Sequence, residues 1–211
     1  MSRIAVAPIV EGQGDEAAVR LLLQRVWGEI VGGEYINVLK PIRRSRGLLL
    51  RRDSGDLEKA IHLALLKLGQ QGGGLVLVLI DAEDDCAKLG ALGPMLVDRA
   101  RAARGDVEIA VVIANVMYET WFVAAAASLG KYLTLPADGA LPADPEAQRL
   151  GKGWVKQRMK SRKYSETADQ AALTAEMDLG MCRARSRSFD KLCREFEKRV
   201  RTSGVADEGG T

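Results

Sequence analysis

The chain has 211 residues, 47% of them hydrophobic and 28% charged, with a net charge of +3. That length suffices for one sizeable core, and the small net charge excludes a general affinity for polyanions, so any such binding has to come from local clustering. Three cysteines (Cys86, Cys182 and Cys193) without metal-ligand spacing argue against a disulfide framework and for a reducing cytoplasm; no apolar run suits a membrane span or a signal segment, and the single histidine, His62, excludes a metal site built on several histidines.

Residues 4–10 form a short apolar run that ends at Glu11 and is followed by Gly12-Gln13-Gly14-Asp15-Glu16. This predicts strand, glycine turn and helix, with the helix over about 15–30 and Ala18, Leu22, Val26 and Ile30 on one stripe. Pro8 removes a ladder hydrogen bond, which predicts a bulge or a sheet edge there. A weaker strand over 35–42 leads into Arg43, Arg44, Arg46, Arg51 and Arg52, readable either as a solvated loop or as a phosphate-binding patch. Residues 56–68 predict an amphipathic helix with Leu57, Ile61, Ala64, Leu65 and Leu68 inward, capped by Asp53 or Ser54.

The pivotal stretch is LVLVLIDAEDD, residues 75–85, after a glycine turn at 72–74. Six consecutive apolar residues predict a strand buried on both faces, as in a parallel sheet. Asp81, Glu83, Asp84 and Asp85 then crowd its carboxyl end, where like charges repel and a hard divalent cation with oxygen ligands is the economical counter-ion. The alternative is that Asp81 alone is constrained and the others form a solvated turn. A helix over 94–103 and a strand over 107–113 follow, and then Glu119 opens an alanine-rich helix within 115–127. Glu119 is read equally well as a first-turn carboxylate or as another acid delivered to the same rim.

Residues 133–145 read as a loop. Residues 151–164 concentrate Lys152, Lys156, Arg158, Lys160, Arg162 and Lys163 around Trp154 and Tyr164. Such a segment suits either a basic surface helix or a nucleic-acid backbone with stacking bases. Two helices complete the chain. One has a capping box between Thr167 and Gln170, and the other covers 188–200 with Phe189, Leu192, Cys193, Phe196 and Val200 inward. Arg183, Arg185 and Arg187 fall in the gap between them, and 204–211 read as a disordered tail. There is no internal repeat. Alternating strands and helices predict an α/β fold with a mostly parallel four-stranded sheet and helices on both faces. Right-handed crossovers then bring Glu11, Asp81 and Glu83 to one rim, where they can share Mg²⁺ or Mn²⁺.

VEGQGDE (residues 10–16) followed by LIDAEDD (residues 79–85) resembles the Toprim domain of topoisomerases, bacterial primases and overcoming-lysogenization-defect nucleases. Closer still is a family of small uncharacterised bacterial Toprim-like proteins, which open with Pro-Ile-Val-Glu-Gly, here residues 8–12, and carry Glu-x-Trp-Phe, here residues 119–122. The resemblance implies a Toprim/Rossmann-like core over residues 1–132, with a basic helical C-terminal extension over 133–203. It implies Mg²⁺- or Mn²⁺-dependent phosphodiester cleavage of nucleic acid, in a bacterial defence or repair setting beside a separate ATPase. On this pattern Glu11 is a metal ligand or general base and Asp81 the first metal-binding aspartate. The second aspartate position is Glu83, a departure that leaves Asp84 or Asp85 as substitutes and Glu119 as a supporting acid. Arg43, Arg44, Arg46 and the 152–163 cations would hold the polyanion. The competing reading is a non-catalytic subunit that binds an ATPase or nucleic acid.

Overall fold

The computed structural model describes residues 4–71, 74–146, 150–160 and 163–205. The glycine turn at 72–73, Arg162 and the tail from 206 lie outside the described residues, as does the Val200 side chain. The sheet is built from β1 (Ile4–Val10), β2 (Ile36–Val38), β3 (Ile42–Arg43), β4 (Leu75–Asp81) and β5 (Glu108–Ala114). The order is β2-β1-β4-β5, with β3 also beside β1, and every pairing is parallel. The expected second strand is therefore two short strands, and the sheet has five strands rather than four.

The break between β2 and β3 explains Pro8. Pairing on that side of β1 runs to Val6↔Val38 and resumes at Ile9↔Ile42. Val6 and Val10 accept hydrogen bonds from Leu39 and Arg44 on that side, so alternation aims the Pro8 nitrogen at the interruption. No ladder bond is lost, and neither the expected bulge nor an edge position is needed.

Side chains of the sheet alternate between two cores. Val6, Val10, Leu75, Leu77, Leu79 and Val112 face α1 (Gln13–Arg25), which continues as a π-helical turn, Val26–Val31. Ala5, Ile9, Val76, Val78, Ile80 and Val111 face α2 (Arg46–Leu50), α3 (Asp56–Gly69) and α4 (Leu89–Ala103). The inward stripe predicted for α3 is buried throughout, and the Ser54 hydroxyl accepts from the Asp56 N–H at its start.

The first core also takes in the rest of the chain: α5 (Glu119–Ala124), α6 (Gly151–Arg158), α7 (Glu166–Glu176), α8 (Leu179–Arg185) and α9 (Arg187–Val205). Arg25 at the end of α1 donates to the carbonyls of Thr174 (2.7 Å) and Met177 (2.8 Å), satisfying the C-terminal end of α7. Three expectations are corrected here. The gap expected at 183–187 holds the end of α8 and the start of α9, because Arg183 pairs with Glu197 and Asp190 and Arg185 donates to the Ala124 and Pro142 carbonyls. The capping box expected between Thr167 and Gln170 does not form: Ser165 is the N-cap and its N–H donates to the Asp169 carboxylate at 2.8 Å, while Gln170 donates to Asp15. Gly204 and Val205 belong to α9 rather than to a disordered tail.

Candidate functional site

β1 is followed by β2 on one side of it and, through α3, by β4 on the other. The chain therefore reverses direction across the sheet between β1 and β4, and in open α/β sheets ligands settle beyond the carboxyl ends of the strands at such a reversal. Glu11 and Asp81 end these two strands. The Asp81 N–H donates to Glu11 Oε1 at 2.6 Å, and the Tyr118 N–H donates to Asp81 Oδ1 at 2.9 Å. Each carboxylate is thus held by one backbone donor, with its second oxygen left over.

Around them lies a cavity of about 380 Å³. Gly12, Asp15, Arg46, Glu83, Glu119 and Lys152 line it, together with Glu166 and Gln170 from α7. Asp15 was not singled out by its sequence position. It closes the first turn of α1 by accepting from the Gly12 N–H (2.9 Å), and its other oxygen accepts from Gln170 Nε2 (2.8 Å). Glu119 is buried and accepts from the Tyr164 hydroxyl at 2.9 Å. Lys152 pairs with Glu166 at 2.5 Å. Asp15 lies within the VEGQGDE motif, whose glycine turn sets it beside Glu11, whereas no short motif marks Glu166 or Gln170 as cavity residues.

This crowding distorts the proton affinities. Burial, reinforced by Glu83 and Asp15, pushes Glu11 up to about 7, against the hydrogen bond from Asp81 and the charge of Arg46. Burial, then the charges of Asp15, Glu11 and Glu119, raises Asp81 well above the carboxylate range. Burial raises Glu119 as well. Burial works against the Lys152 ammonium, but Glu166, Glu119 and Asp81 outweigh it and raise its pKa.

The acids after Asp81 are placed differently. Asp85 is held by Arg46 (2.6 Å) and Lys88 (2.9 Å), which lower its pKa. Glu83 is exposed, 3.6 Å from Arg46, and Asp84 is exposed on the same 3-10 turn, Glu83–Lys88. Arg46 also donates to the carbonyls of Asp81 and Ala82, so its guanidinium closes one side of the rim. Among the described residues no three acidic, cysteine or histidine side chains come close enough to hold a metal ion. The backbone here is strained: Glu83 (φ 49°) and Val116 (φ 64°) both adopt left-handed conformations, and the Glu83 N–H donates to the Val116 carbonyl at 2.7 Å. A β-branched residue in that region is a true outlier, and such strain concentrates at functional sites.

Of the other cations, Arg43 is exposed and Arg44 lies 3.8 Å from Asp56. Lys156, Lys160 and Lys163 are exposed, and Lys160 donates to the Gly130 carbonyl. Arg158 lies over the Trp154 ring, 4.2 Å from its centre. Trp154 and Tyr164 are buried in the core, which corrects their reading as stacking platforms for bases.

Fold and site together define a class: an all-parallel α/β protein with buried acids gathered beyond the carboxyl ends of two adjacent strands. The chain belongs to the family described as Domain of unknown function (DUF4276), whose model matches residues 10–197. Comparison with curated proteins and with solved structures gives no significant match. Among the described residues no helix is long and apolar enough to cross a membrane.

Proposed function

We propose that the protein is a Toprim-like, Mg²⁺- or Mn²⁺-dependent phosphodiesterase acting on nucleic acid, with its reaction centre at Glu11 and Asp81. The observation that carries this reading is the pair of carboxylates at the chain reversal, joined through the Asp81 N–H and crowded by Asp15, Glu83 and Glu119. Their donor chemistry fits a hard divalent cation: oxygen only, with one oxygen of each acid uncommitted. The preformed three-carboxylate cage expected from the sequence is not among the described residues, so Glu11 and Asp81 are the proposed ligands, and Asp15 stands beside them. A bound cation would supply an activated water and neutralise charge on the phosphate oxygens. A bound cation would hold Glu11 ionised, so its value near 7 belongs to the metal-free protein. Lys152 and Arg46 supply positive charge on either side of the cavity, where a phosphate is to be held. A bacterial defence or repair role with a separate ATPase partner belongs to the same proposal and rests on the Toprim resemblance alone.

The salt bridge of Arg46 with Asp85 favours a second reading, in which the site is a non-catalytic binding surface. The test is cleavage of labelled single- and double-stranded DNA and RNA across a Mg²⁺ and Mn²⁺ titration. Cleavage that depends on the metal supports the enzyme; metal stabilisation of the fold without cleavage of any substrate supports the binding subunit.

Linkage gives an independent expectation. Glu11 and Asp81 have folded-state pKa values above their unfolded ones, so the folded protein holds protons that the unfolded chain releases. Their contribution to stability is fully present below the unfolded values of about 4 to 4.5; that of Glu11 is lost as pH rises through about 7, and that of Asp81 as pH rises through its own raised folded value. In EDTA the melting temperature should fall between pH 5 and pH 8. Mn²⁺ at about 100 times its dissociation constant should raise it by roughly 5 °C or more at pH 8, and by less at pH 5. Scanning calorimetry at both pH values checks this; a melting temperature indifferent to Mn²⁺ at pH 8 removes the metal site.

A further inference from the structure

A second cavity, of about 580 Å³, lies on the other side of the 3-10 turn and shares no lining residue with the first. It lies between α4, the end of β5 and the start of α9 and is of ligand-binding size. Three of its features have no structural use. Lys191 of α9 makes no ion pair or hydrogen bond among the described residues, although its ammonium is partly buried and burial lowers its pKa. Asn115 makes no hydrogen bond through its side chain, and its Oδ1 is buried without a partner. A buried amide and a desolvated ammonium without partners are each costly, so both have capacity to spend on a ligand.

The third feature is a pair of α4 glycines in the wall, Gly90 in the first turn and Gly93 one turn further in. A Cβ at Gly93 would meet only Lys191 Nζ (3.8 Å) and Ile113 Cδ1 (4.0 Å), and one at Gly90 would meet nothing within 4 Å. Packing does not require either glycine, and Gly93 weakens the helix. Their bare backbone leaves a flat wall beside the ammonium. Opposite stand two acids: Glu146, whose Oε1 accepts from Ser186 Oγ (2.6 Å), Ser188 Oγ (2.6 Å) and the Ser188 N–H (2.9 Å), and Asp144, 3.8 Å from the exposed guanidinium of Arg187. The cavity therefore offers positive charge without a partner, a flat wall, and a group of carboxylates and an amide that favour a donating ligand edge.

We propose that this cavity binds a nucleoside monophosphate whose base carries an exocyclic amine. The phosphate pairs with Lys191 and Arg187, the base lies along the Gly90–Gly93 wall, and its amine faces Glu146 and Asn115. The site is separate from the acidic rim and does not depend on cleavage activity.

The test is calorimetric titration in EDTA with AMP, CMP, GMP and UMP, and with inorganic phosphate. It uses the wild type, Lys191→Met, and Gly90→Leu, which places a side chain in the cavity from an exposed helix position. The expected result is binding of at least one amine-bearing nucleotide, with UMP and phosphate weaker. Losing the charged contact in Lys191→Met should weaken that binding roughly tenfold or more, and Gly90→Leu should block it. Lys191→Met removes an unpaired, desolvated charge, so its melting temperature should match or exceed that of the wild type, which confirms that the variant is folded. No binding of AMP, CMP or GMP, UMP binding as tightly as they do, or an affinity unchanged in both variants overturns the proposal.

Discussion

Asp81→Asn is expected to abolish metal-dependent cleavage and at the same time to raise the thermal stability of the protein. The two effects have one cause. The Asp81 carboxylate is buried beside Glu11, Asp15 and Glu119, which favour its protonated form. The Asn amide is nearly isosteric and neutral, and its oxygen can keep the hydrogen bond from the Tyr118 N–H. At pH 7 and above the substitution removes a charge the fold is ill equipped to hold, and should stabilise by about 1 kcal/mol or more, a gain that vanishes below about pH 4. A neutral amide is a poor ligand for a hard cation, so cleavage should fall on the order of a thousandfold or more. Calorimetry and a cleavage assay on the same preparation check both halves. A destabilised variant would show that Asp81 is a structural carboxylate, and cleavage at the wild-type rate would remove it from the reaction centre.

Gly14→Val should both destabilise the fold and damage the acidic site. Gly14 opens α1 where α7 crosses it. A Cβ there would lie 2.1 Å from Gln170 Oε1 and 3.0 Å from both Cβ and the backbone carbonyl of Glu166. The Gln170 amide can swing aside, but the α7 backbone cannot, so the two helices must separate. Overpacking of this kind should cost about 2–3 kcal/mol. It should also reduce activity, because Glu166 and Gln170 line the acidic cavity and Glu166 holds Lys152. Urea unfolding measures the first effect. Wild-type stability in this variant would mean that α7 is not seated as described.

The parallel sheet was legible in the sequence because its strands are short apolar runs bounded by glycine or acid, and a strand buried on both faces needs no alternation. Placing Glu11 and Asp81 at one rim needed only chain order and the handedness of crossovers. The division of 35–42 into β2 and β3 was missed although Pro41, which falls in the break, signals it locally. α8 was hidden because Arg183, Arg185 and Arg187 read as a basic loop until their partners, Glu197, Asp190 and the Ala124 carbonyl, are brought near by the fold. Trp154 and Tyr164 misled for a related reason. Aromatic residues among lysines have the same composition whether they face solvent or, as here, the core. Asp15 and Gln170 are 155 positions apart, and nothing local to either shows that they meet.

That separation also has a consequence in time. At about 5–20 residues per second, Gln170 is synthesised roughly 10–30 s after Asp15. During that interval the emerging chain already holds Glu11 and, later, Asp81, while the face of α1 that α7 will cover is bare. A ribosome-bound chain thus carries exposed apolar surface beside these acids until a late event, the docking of α7, covers it and gives Asp15 its Gln170 donor. Synthesis stalled before residue 166 would release a chain with that surface bare and the site incomplete.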